Sequence, residues 1–239
     1  MRNYWSLIGN GKYQVGCTGQ TVYVLDNDGN EIAKFKDLIY AYTPAISPNG
    51  DIFVVKTTEG RLAVYSFSPP KLIKKFRFSK VDASQDDNFC FSPDGKELYN
   101  IERHVDSCKT ALSVYDTSDF SLKKRLLDDD DSLVLNLIEA DTSTGEYFLL
   151  GIFRDEQGIA YKYFVGKLIA DRLEEIVYVP EKVERFYYAC QLLRVSGFTE
   201  KMFNLWHDHW IGPGIKLEEL KKANHTLAEL WSLYRNQSN

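Results

Sequence analysis

The sequence has few of the residues and motifs that mark catalytic, metal or redox chemistry. Its four cysteines are widely spaced and form no Cys-x-x-Cys pair, which argues against a zinc cluster or a redox motif. We expect them to be small buried hydrophobic residues that stay reduced. No segment matches GxSxG, HExxH, GxxxxGK[ST] or GxGxxG. These local signatures are therefore excluded, whereas a site assembled from several repeats would leave no such motif.

The chain also lacks a long hydrophobic run and a concentration of basic charge. No stretch approaches the roughly 20 apolar residues of a membrane-spanning helix, and the first residues show no apolar run like that of a signal peptide. We therefore expect a cytoplasmic protein without membrane contact. The net charge is −5, and the basic residues occur as scattered pairs, so nucleic acid is not expected as a partner.

What the sequence has in abundance is aromatic residues and a repeated strand-turn-strand pattern. The 15 tyrosines and 14 phenylalanines among 239 residues favour β-strands. An apolar residue follows a strand valine by eight positions four times, and the pairs are Val24 and Ile32, Val64 and Leu72, Val114 and Leu122, and Val165 and Leu173. We call the first residue of each pair the marker valine. Each pair predicts two strands joined by a hairpin.

The repeat divides residues 1–180 into four units of four short strands. The unit boundaries are about 1–38, 39–80, 81–130 and 131–180. The turn Ser47-Pro48-Asn49-Gly50 recurs 45 residues later as Ser92-Pro93-Asp94-Gly95. Proline fixes φ and Asn-Gly or Asp-Gly favours a tight turn, so the recurrence strengthens the alignment of the units.

These turns and the segment around Val114 resemble the WD40-like β-propeller family. In that family the third strand of a blade ends in an aromatic-Asp pair, which Val114-Tyr115-Asp116 matches, whereas Val64-Tyr65-Ser66 lacks the Asp and Val24-Leu25-Asp26 lacks the aromatic. Gly-His and Trp-Asp signatures are absent, so the chain resembles a divergent member. The resemblance implies an all-β fold, a small β-propeller of four clear four-stranded blades over residues 1–180. It implies little about function, because propellers host many unrelated activities.

The repeat fades after Pro180. We expect residues 181–211 to form a degenerate fifth blade or a segment that closes the ring. Within them, Glu184–Val195 fits a strand or a helix, and Lys201–Trp206 fits a further strand. In residues 212–239, apolar residues recur at spacings of three and four, which predicts a C-terminal amphipathic helix packed on the same domain. Asn224 is expected to break this helix and to cap its second segment.

The densest cluster of potential metal ligands is His207-Asp208-His209. On a strand the two histidines would share one face about 7 Å apart, but the sequence supplies no third ligand by spacing. They are therefore candidates for a metal site and, with more weight, for an aromatic-rich partner surface. We expect no catalytic residue and no cofactor. The predicted partner-binding residues are Tyr40, Tyr42, His104, Trp206, His207, His209 and Trp210.

Three other polar segments are assigned to loops and turns. The segment from Asp26 to Glu31 lacks the ligand spacing of a calcium loop, and Asp128–Asp131 is expected to be a solvated loop. Residues 102–108, which include Glu102, His104 and Cys108, are placed in a long loop of the third unit. A Cys and a His a few residues apart do not by themselves make a nucleophile and its base.

Two functions fit this sequence. The preferred one is a non-catalytic protein-interaction module, either a scaffold or an inhibitor of the immunity-protein type, that binds another protein as a monomer. The complete repeats, the missing catalytic motifs and the apolar face of the tail helix favour it. The alternative is an enzyme or small-ligand binder with a site in the central channel that uses His104, His207 or His209.

Overall fold

The computed structural model describes residues 4–57, 60–77, 88–103, 109–155, 161–194, 198–207 and 211–237. In these ranges the chain forms four four-stranded antiparallel sheets followed by four α-helices. The strands of each sheet lie side by side in chain order. The sheets are the blades of a small β-propeller, as predicted, and the C-terminal helical segment is present.

The element bounds are as follows. Blade 1 contains β1 (Ser6–Gly9), β2 (Tyr13–Cys17), β3 (Val22–Asp26) and β4 (Glu31–Phe35), and blade 2 contains β5 (Ala41–Ile46), β6 (Ile52–Thr57), β7 (Arg61–Phe67) and β8 (Pro70–Arg77). Blade 3 contains β9 (Phe89–Phe91), β10 (Glu97–Arg103), β11 (Thr110–Asp116) and β12 (Leu122–Leu126). Blade 4 contains β13 (Leu133–Ala140), β14 (Tyr147–Arg154), β15 (Tyr161–Ile169) and β16 (Arg172–Tyr178). The helices are α1 (Glu181–Arg194), α2 (Glu200–Trp206), α3 (Leu217–Lys222) and α4 (Leu227–Arg235).

The chain divides into two compact units. Unit 1, Met1–Asp131, contains blades 1 to 3, and unit 2, Ser132–Asn239, contains blade 4 and the helices. None of the helices in the described ranges is both long enough and apolar enough to cross a membrane.

The four marker valines occupy equivalent positions in their blades. They lie in β3, β7, β11 and β15, the third strand of each sheet, and all four are fully buried. In every blade the pairing between the third and fourth strands shifts register directly after this valine. A β-bulge of this kind increases the local twist of the strand. The repeat predicted from the sequence is therefore confirmed in burial and in strand register.

In blades 1 and 2 the marker valine faces the following blade. Val24 belongs to a buried cluster that also contains Phe53 and Val55 of blade 2. Val64 belongs to a second cluster, which contains Phe89 and Leu98 of blade 3. Blade 1 therefore packs face to face with blade 2, and blade 2 packs face to face with blade 3. In blades 1 and 2, the face that carries the marker valine is turned towards the next blade in the sequence.

In unit 2 helices cover the corresponding face of blade 4. Val165 lies in a buried cluster with Tyr187 of α1 and with Leu227 and Trp231 of α4. Of the two possibilities for Glu184–Val195, the structure has the helix in its described part, which lies in α1, whereas Lys201–Trp206, expected as a strand, lies in α2. Acidic residues in the first turn of α1 and Arg194 in its last turn suit the helix dipole. The helices thus take the place that a fifth blade would have had.

The predicted C-terminal amphipathic helix is divided into α3 and α4. The break falls at Asn224, as expected, but the residue that caps α4 is Thr226. Its hydroxyl accepts a hydrogen bond from the backbone N–H of Glu229 at 3.2 Å, and the Glu229 carboxylate accepts one from the backbone N–H of Thr226 at 2.8 Å. This capping box satisfies two N–H groups that the helix itself leaves unpaired.

Glu139 of β13 fixes two of the helices to blade 4. Its carboxylate accepts hydrogen bonds from the backbone N–H of Leu227 at 2.7 Å and from the Tyr187 hydroxyl. Arg194 at the end of α1 approaches the same carboxylate at 3.5 Å. One carboxylate therefore holds the start of α4 and the inner side of α1.

Lys167 and Trp231 form a second anchor for α4. The Trp231 indole N–H donates to the Glu175 carbonyl at 2.6 Å, and the Lys167 ammonium lies 4.1 Å from the centre of the indole ring. A cation over an indole face is attracted by the ring quadrupole. The last helix is therefore held to β15 and β16 by directional contacts as well as by apolar packing.

The fourth strand of each blade lies at an edge of its sheet, and most of its exposed residues are charged. In β8, exposed residues alternate with half-buried ones, and the exposed set includes Lys71, Lys75 and Arg77. The strand β12 reads Leu-Lys-Lys-Arg-Leu. Its first residue, Leu122, is 47% exposed although it is the apolar partner of Val114 in the repeat.

We predict opposite outcomes when an aspartate replaces the two members of this pair. Val114→Asp would bury an unpaired carboxylate and lower the free energy of unfolding by about 3 to 5 kcal/mol. Leu122→Asp, the matched control, would change it by less than about 1 kcal/mol, because the side chain stays in water. Urea denaturation followed by far-UV circular dichroism measures both. Equal stability of the two variants would show that the marker valine is not a core residue.

Candidate functional site

An exposed cluster of large apolar side chains lies in unit 1 at the connection between blades 1 and 2. Trp5 is 41% exposed, and Ile39 and Tyr40 are each 52% exposed. Tyr42, which is half-buried, meets Trp5 edge to face with 5.8 Å between ring centres. We call these four residues the aromatic surface.

The backbone around the aromatic surface is fixed by a buried side chain and a β-bridge, with a left-handed residue between them. Leu38, in the connection between β4 and β5, is buried in the cluster shared by blades 1 and 2. Two residues later, Tyr40 has a left-handed backbone with φ of 55°. Ala41 then pairs with Gly19 in an isolated β-bridge. Leu38 anchors the connection in the core of blades 1 and 2, while the side chains of Ile39 and Tyr40 are exposed to solvent.

The segment before β1 completes the surface. The Trp5 backbone N–H donates to the Cys17 carbonyl at 2.8 Å, and the Ser6 hydroxyl donates to the Tyr42 carbonyl at 2.5 Å. Trp5 is thereby tied to β2, and Ser6, the first residue of β1, is tied to the first strand of blade 2. A non-local contact places Trp5 against Tyr42, although the two residues are far apart in the sequence.

The aromatic surface differs from the other exposed apolar residues of unit 1. Ile32, Ile73 and Leu122 are also exposed, but each stands on the edge strand of a different blade. Single exposed apolar residues of this kind are common on soluble proteins and carry no functional meaning. Trp5 and Tyr42 are in ring contact, and Ile39 and Tyr40 are exposed in the connection just before Tyr42. Several exposed aromatic residues in one region are typical of a contact surface.

The predicted partner-binding residues do not all lie at one site. Tyr40 and Tyr42 lie in the aromatic surface, together with Trp5 and Ile39, which the sequence analysis did not select. The missed signal is the pair of consecutive apolar residues Ile39-Tyr40 in a connection between strands. His104, His209 and Trp210 lie outside the described residues.

Trp206 and His207 belong to a helix end and not to a strand. Trp206 is buried in a cluster of α1, α2 and the following segment, so its placement on a partner surface is corrected. His207 is the C-cap of α2, and its ring contacts Phe203 at 5.2 Å between ring centres. The strand expected for Lys201–Trp206 is therefore wrong, and the placement of His207 relative to His209 lies outside the described residues. In the described part of the chain, no group of three or more His, Cys, Asp or Glu side chains could hold a metal ion.

A buried carboxylate in blade 3 was also missed, because residue 102 was placed in a loop. Glu102 lies in β10 and accepts hydrogen bonds from the Tyr115 hydroxyl, from Asn100 at 3.3 Å and from Arg125 at 3.2 Å. Burial, followed by the negative charge of Glu102, raises the pKa of Tyr115. The carboxylate is buried and already surrounded by donors. It stabilises the pairing of β10 with β11 and is closed to a substrate.

The acidic turn residues have the structural role expected of them. Asp116 accepts hydrogen bonds from the backbone N–H and the hydroxyl of Ser118 at 2.9 and 2.6 Å. Asp26 accepts two from Asn30, one from its side-chain amide at 2.9 Å and one from its backbone N–H at 2.8 Å. These hydrogen bonds lower the pKa of both carboxyl groups. Asp26 and Asp116 therefore close hairpins, as predicted.

The described fold and surface define a small β-propeller with exposed aromatic side chains. A scan against protein-family models finds no match for the chain, and a search of the curated proteins finds none. Among solved structures it is similar to Kuenenia stuttgartiensis hydrazine synthase, with 16% identity and a TM-score of 0.58 over 72% of this chain and 51% of that chain. It is also similar to the WD40 domain of Toxoplasma gondii coronin, with 14% identity and a TM-score of 0.54 over 73% of this chain and 45% of that chain.

This chain therefore spans about half the length of the two solved chains that it matches. At these identities the likeness concerns the fold alone, and that fold is the propeller.

The described cysteines are not arranged as a reactive site. Cys17 and Cys190 are fully buried, and Cys90 is half-buried. Burial raises the pKa of Cys17 to about 12 and that of Cys190 to about 11. The Cys190 thiol also donates to the Leu220 carbonyl at 3.2 Å, a bond that requires the protonated form.

We predict that Cys17 and Cys190 resist alkylation in the folded protein. At pH 8 a thiol with a pKa of about 12 is only about one part in ten thousand thiolate, and the thiolate is the nucleophile. Iodoacetamide labelling followed by peptide mass spectrometry should modify both residues only after unfolding in urea. Labelling of Cys17 in buffer as fast as a free small-molecule thiol would contradict its burial.

Proposed function

We propose that the protein is a non-catalytic interaction module of the WD40-like type, which binds another protein as a monomer through the aromatic surface. The observation that carries the proposal is the joint exposure of Trp5, Ile39 and Tyr40 beside the half-buried Tyr42. Both proposed roles, scaffold and inhibitor, need such a surface.

The chemistry of these side chains suits protein recognition. Tyrosine and tryptophan offer large apolar areas with one polar group, and they are enriched among the residues that dominate interface energetics. Residues of this kind cost about 2 kcal/mol or more when truncated at the centre of an interface. A few such residues are enough to account for specific binding.

The surface is also held in place before any partner arrives. Leu38 is buried beneath it, the Ala41–Gly19 bridge fixes the chain after Tyr40, and Ser6 bonds the Tyr42 carbonyl. Ordering of loops and side chains is a major cost of association, and a surface that is already ordered avoids much of it. The propeller thus acts as a rigid support for the exposed residues.

No contact among the described residues favours the alternative, an enzyme or small-ligand binder that uses His104, His207 or His209. His207 packs on Phe203 at the end of α2. His104 and His209 lie outside the described residues. We therefore advance the interaction module alone.

The double variant Ile39→Ser/Tyr40→Ser tests this function. We expect the tagged wild-type protein to retain one stoichiometric partner from a lysate of its source cells, and the double variant to bind that partner at least about 30-fold more weakly. Mass spectrometry identifies the partner, and biolayer interferometry with the purified partner measures the Kd.

Ile73→Ser is the matched control, because Ile73 is equally exposed but stands alone on β8. It should bind like the wild type. The proposal fails if the wild type retains no stoichiometric protein, if the double variant binds unchanged, or if the control loses affinity to the same extent.

A further inference from the structure

A second surface feature lies in unit 2, where blade 4 leads into the helices. It is a pocket of about 460 Å³, lined by Tyr161, Lys162, Tyr163, Tyr178, Val179 and Glu181. Ligand pockets of small molecules generally fall between about 300 and 1,000 Å³. The volume is therefore large enough for the head group of a ligand together with part of an attached chain.

Strand pairing explains why three tyrosines line this pocket. The strand β15 begins at Tyr161 and β16 ends at Tyr178, and Tyr178 pairs with Phe164. Because side chains alternate along a strand, Tyr161 and Tyr163 lie on one face of the sheet and Tyr178 lies on the other. The pocket is thus bordered by phenol rings from both faces at the end of this hairpin, and Tyr161 and Tyr178 are about half exposed.

The local charge favours a cation. Glu181 lines the pocket, and Glu184 follows it in the first turn of α1. Burial and the negative charges of Glu184 and Glu181 raise the pKa of the Tyr163 hydroxyl, so both carboxylates act on this ring. Lys162 is the one positive charge among the lining residues, and its ammonium lies over the Tyr178 ring. Glu181 is therefore the lining group that can attract a further cation.

The chain itself shows that one of these rings accepts an ammonium group. The Lys162 ammonium lies 5.8 Å from the centre of the Tyr178 ring. This distance is within the range of a cation–π interaction, in which the negative face of the ring attracts the cation. Lys162 occupies the position that a ligand cation would use, and it would compete with one.

We propose that this pocket binds an organic cation, an alkylammonium or guanidinium group, through the face of the Tyr178 ring and the carboxylate of Glu181. The group can belong to a free small amine or to a basic side chain of a peptide, because both present the same chemistry. The site is separate from the aromatic surface in unit 1 and does not rest on the function proposed for it.

A titration of the whole protein labelled with ¹³C-tyrosine tests the site. The probes are tetramethylammonium chloride, methylguanidinium chloride and the peptide Gly-Gly-Lys-Gly-Gly, with sodium chloride and sodium acetate as controls at equal ionic strength. We expect the resonances of Tyr161, Tyr163 and Tyr178, assigned by single Tyr→Phe changes, to shift saturably with the organic cations and not with the controls.

Four variants assign the binding to the proposed groups. Tyr178→Ala should weaken tetramethylammonium binding at least about fivefold, whereas Tyr178→Phe keeps the ring and should bind within about twofold of the wild type. Glu181→Gln should weaken binding at least about threefold. Lys162→Met should strengthen it at least about twofold, because it removes the competing cation. All three positions are exposed, and circular dichroism checks that each variant is folded.

The outcomes distinguish a free amine from a basic side chain as the source of the cation, and they distinguish a cation site from an anion site. Tighter binding of the lysine peptide than of tetramethylammonium supports a peptide side chain as the ligand, and the reverse order supports a free amine. The proposal is overturned if no tyrosine signal saturates or if Tyr178→Ala binds like the wild type. It is also overturned if acetate saturates the signals and Lys162→Met abolishes that effect, because the pocket would then recognise anions.

Discussion

The fold depends on the requirement that each blade has both of its faces covered. In β6 the consecutive residues Val54 and Val55 point to opposite faces, and both are fully buried. Blade 2 meets this requirement by lying between blades 1 and 3. Blade 4 meets it on its forward face with α1 and α4, which surround Val165. The tail is therefore part of the same layered packing, built from helices where the repeat has ended.

The repeated part of the fold could be predicted because its determinants are local. The marker valine is adjacent to the bulge that follows it, and the four residues of the Ser-Pro-Asn-Gly type of turn are consecutive. The segment after Pro180 could not be assigned in this way. Its run of apolar residues fits either a strand or a helix, and packing against blade 4 decides between them. Asn224 was correctly identified as a break, whereas the cap is Thr226.

Two of the four residues of the aromatic surface could be predicted, because only part of the surface is encoded locally in the sequence. Tyr40 and Tyr42 lie at the junction of two repeats, Tyr42 within β5, and this position favours them as candidates. Trp5 joins them through a contact with Tyr42 that no sequence period indicates. The aromatic surface follows β4 and the cation pocket follows β16, so both lie where the chain leaves the fourth strand of a blade. The repeated strands form the rigid framework. The side chains that form the two surface sites belong largely to the segments between or after the repeats.

The lysines of the edge strands have a consequence for solubility. An edge strand presents unpaired backbone N–H and C=O groups, which can recruit a strand from another molecule and begin aggregation. The charges of Lys71 and Lys75 on β8, and of Lys123 and Lys124 on β12, oppose that addition, because a second copy would bring like charges together. The protein can therefore leave Trp5, Ile39 and Tyr40 exposed at the ends of its blades while the sides of those blades reject strand addition by other copies.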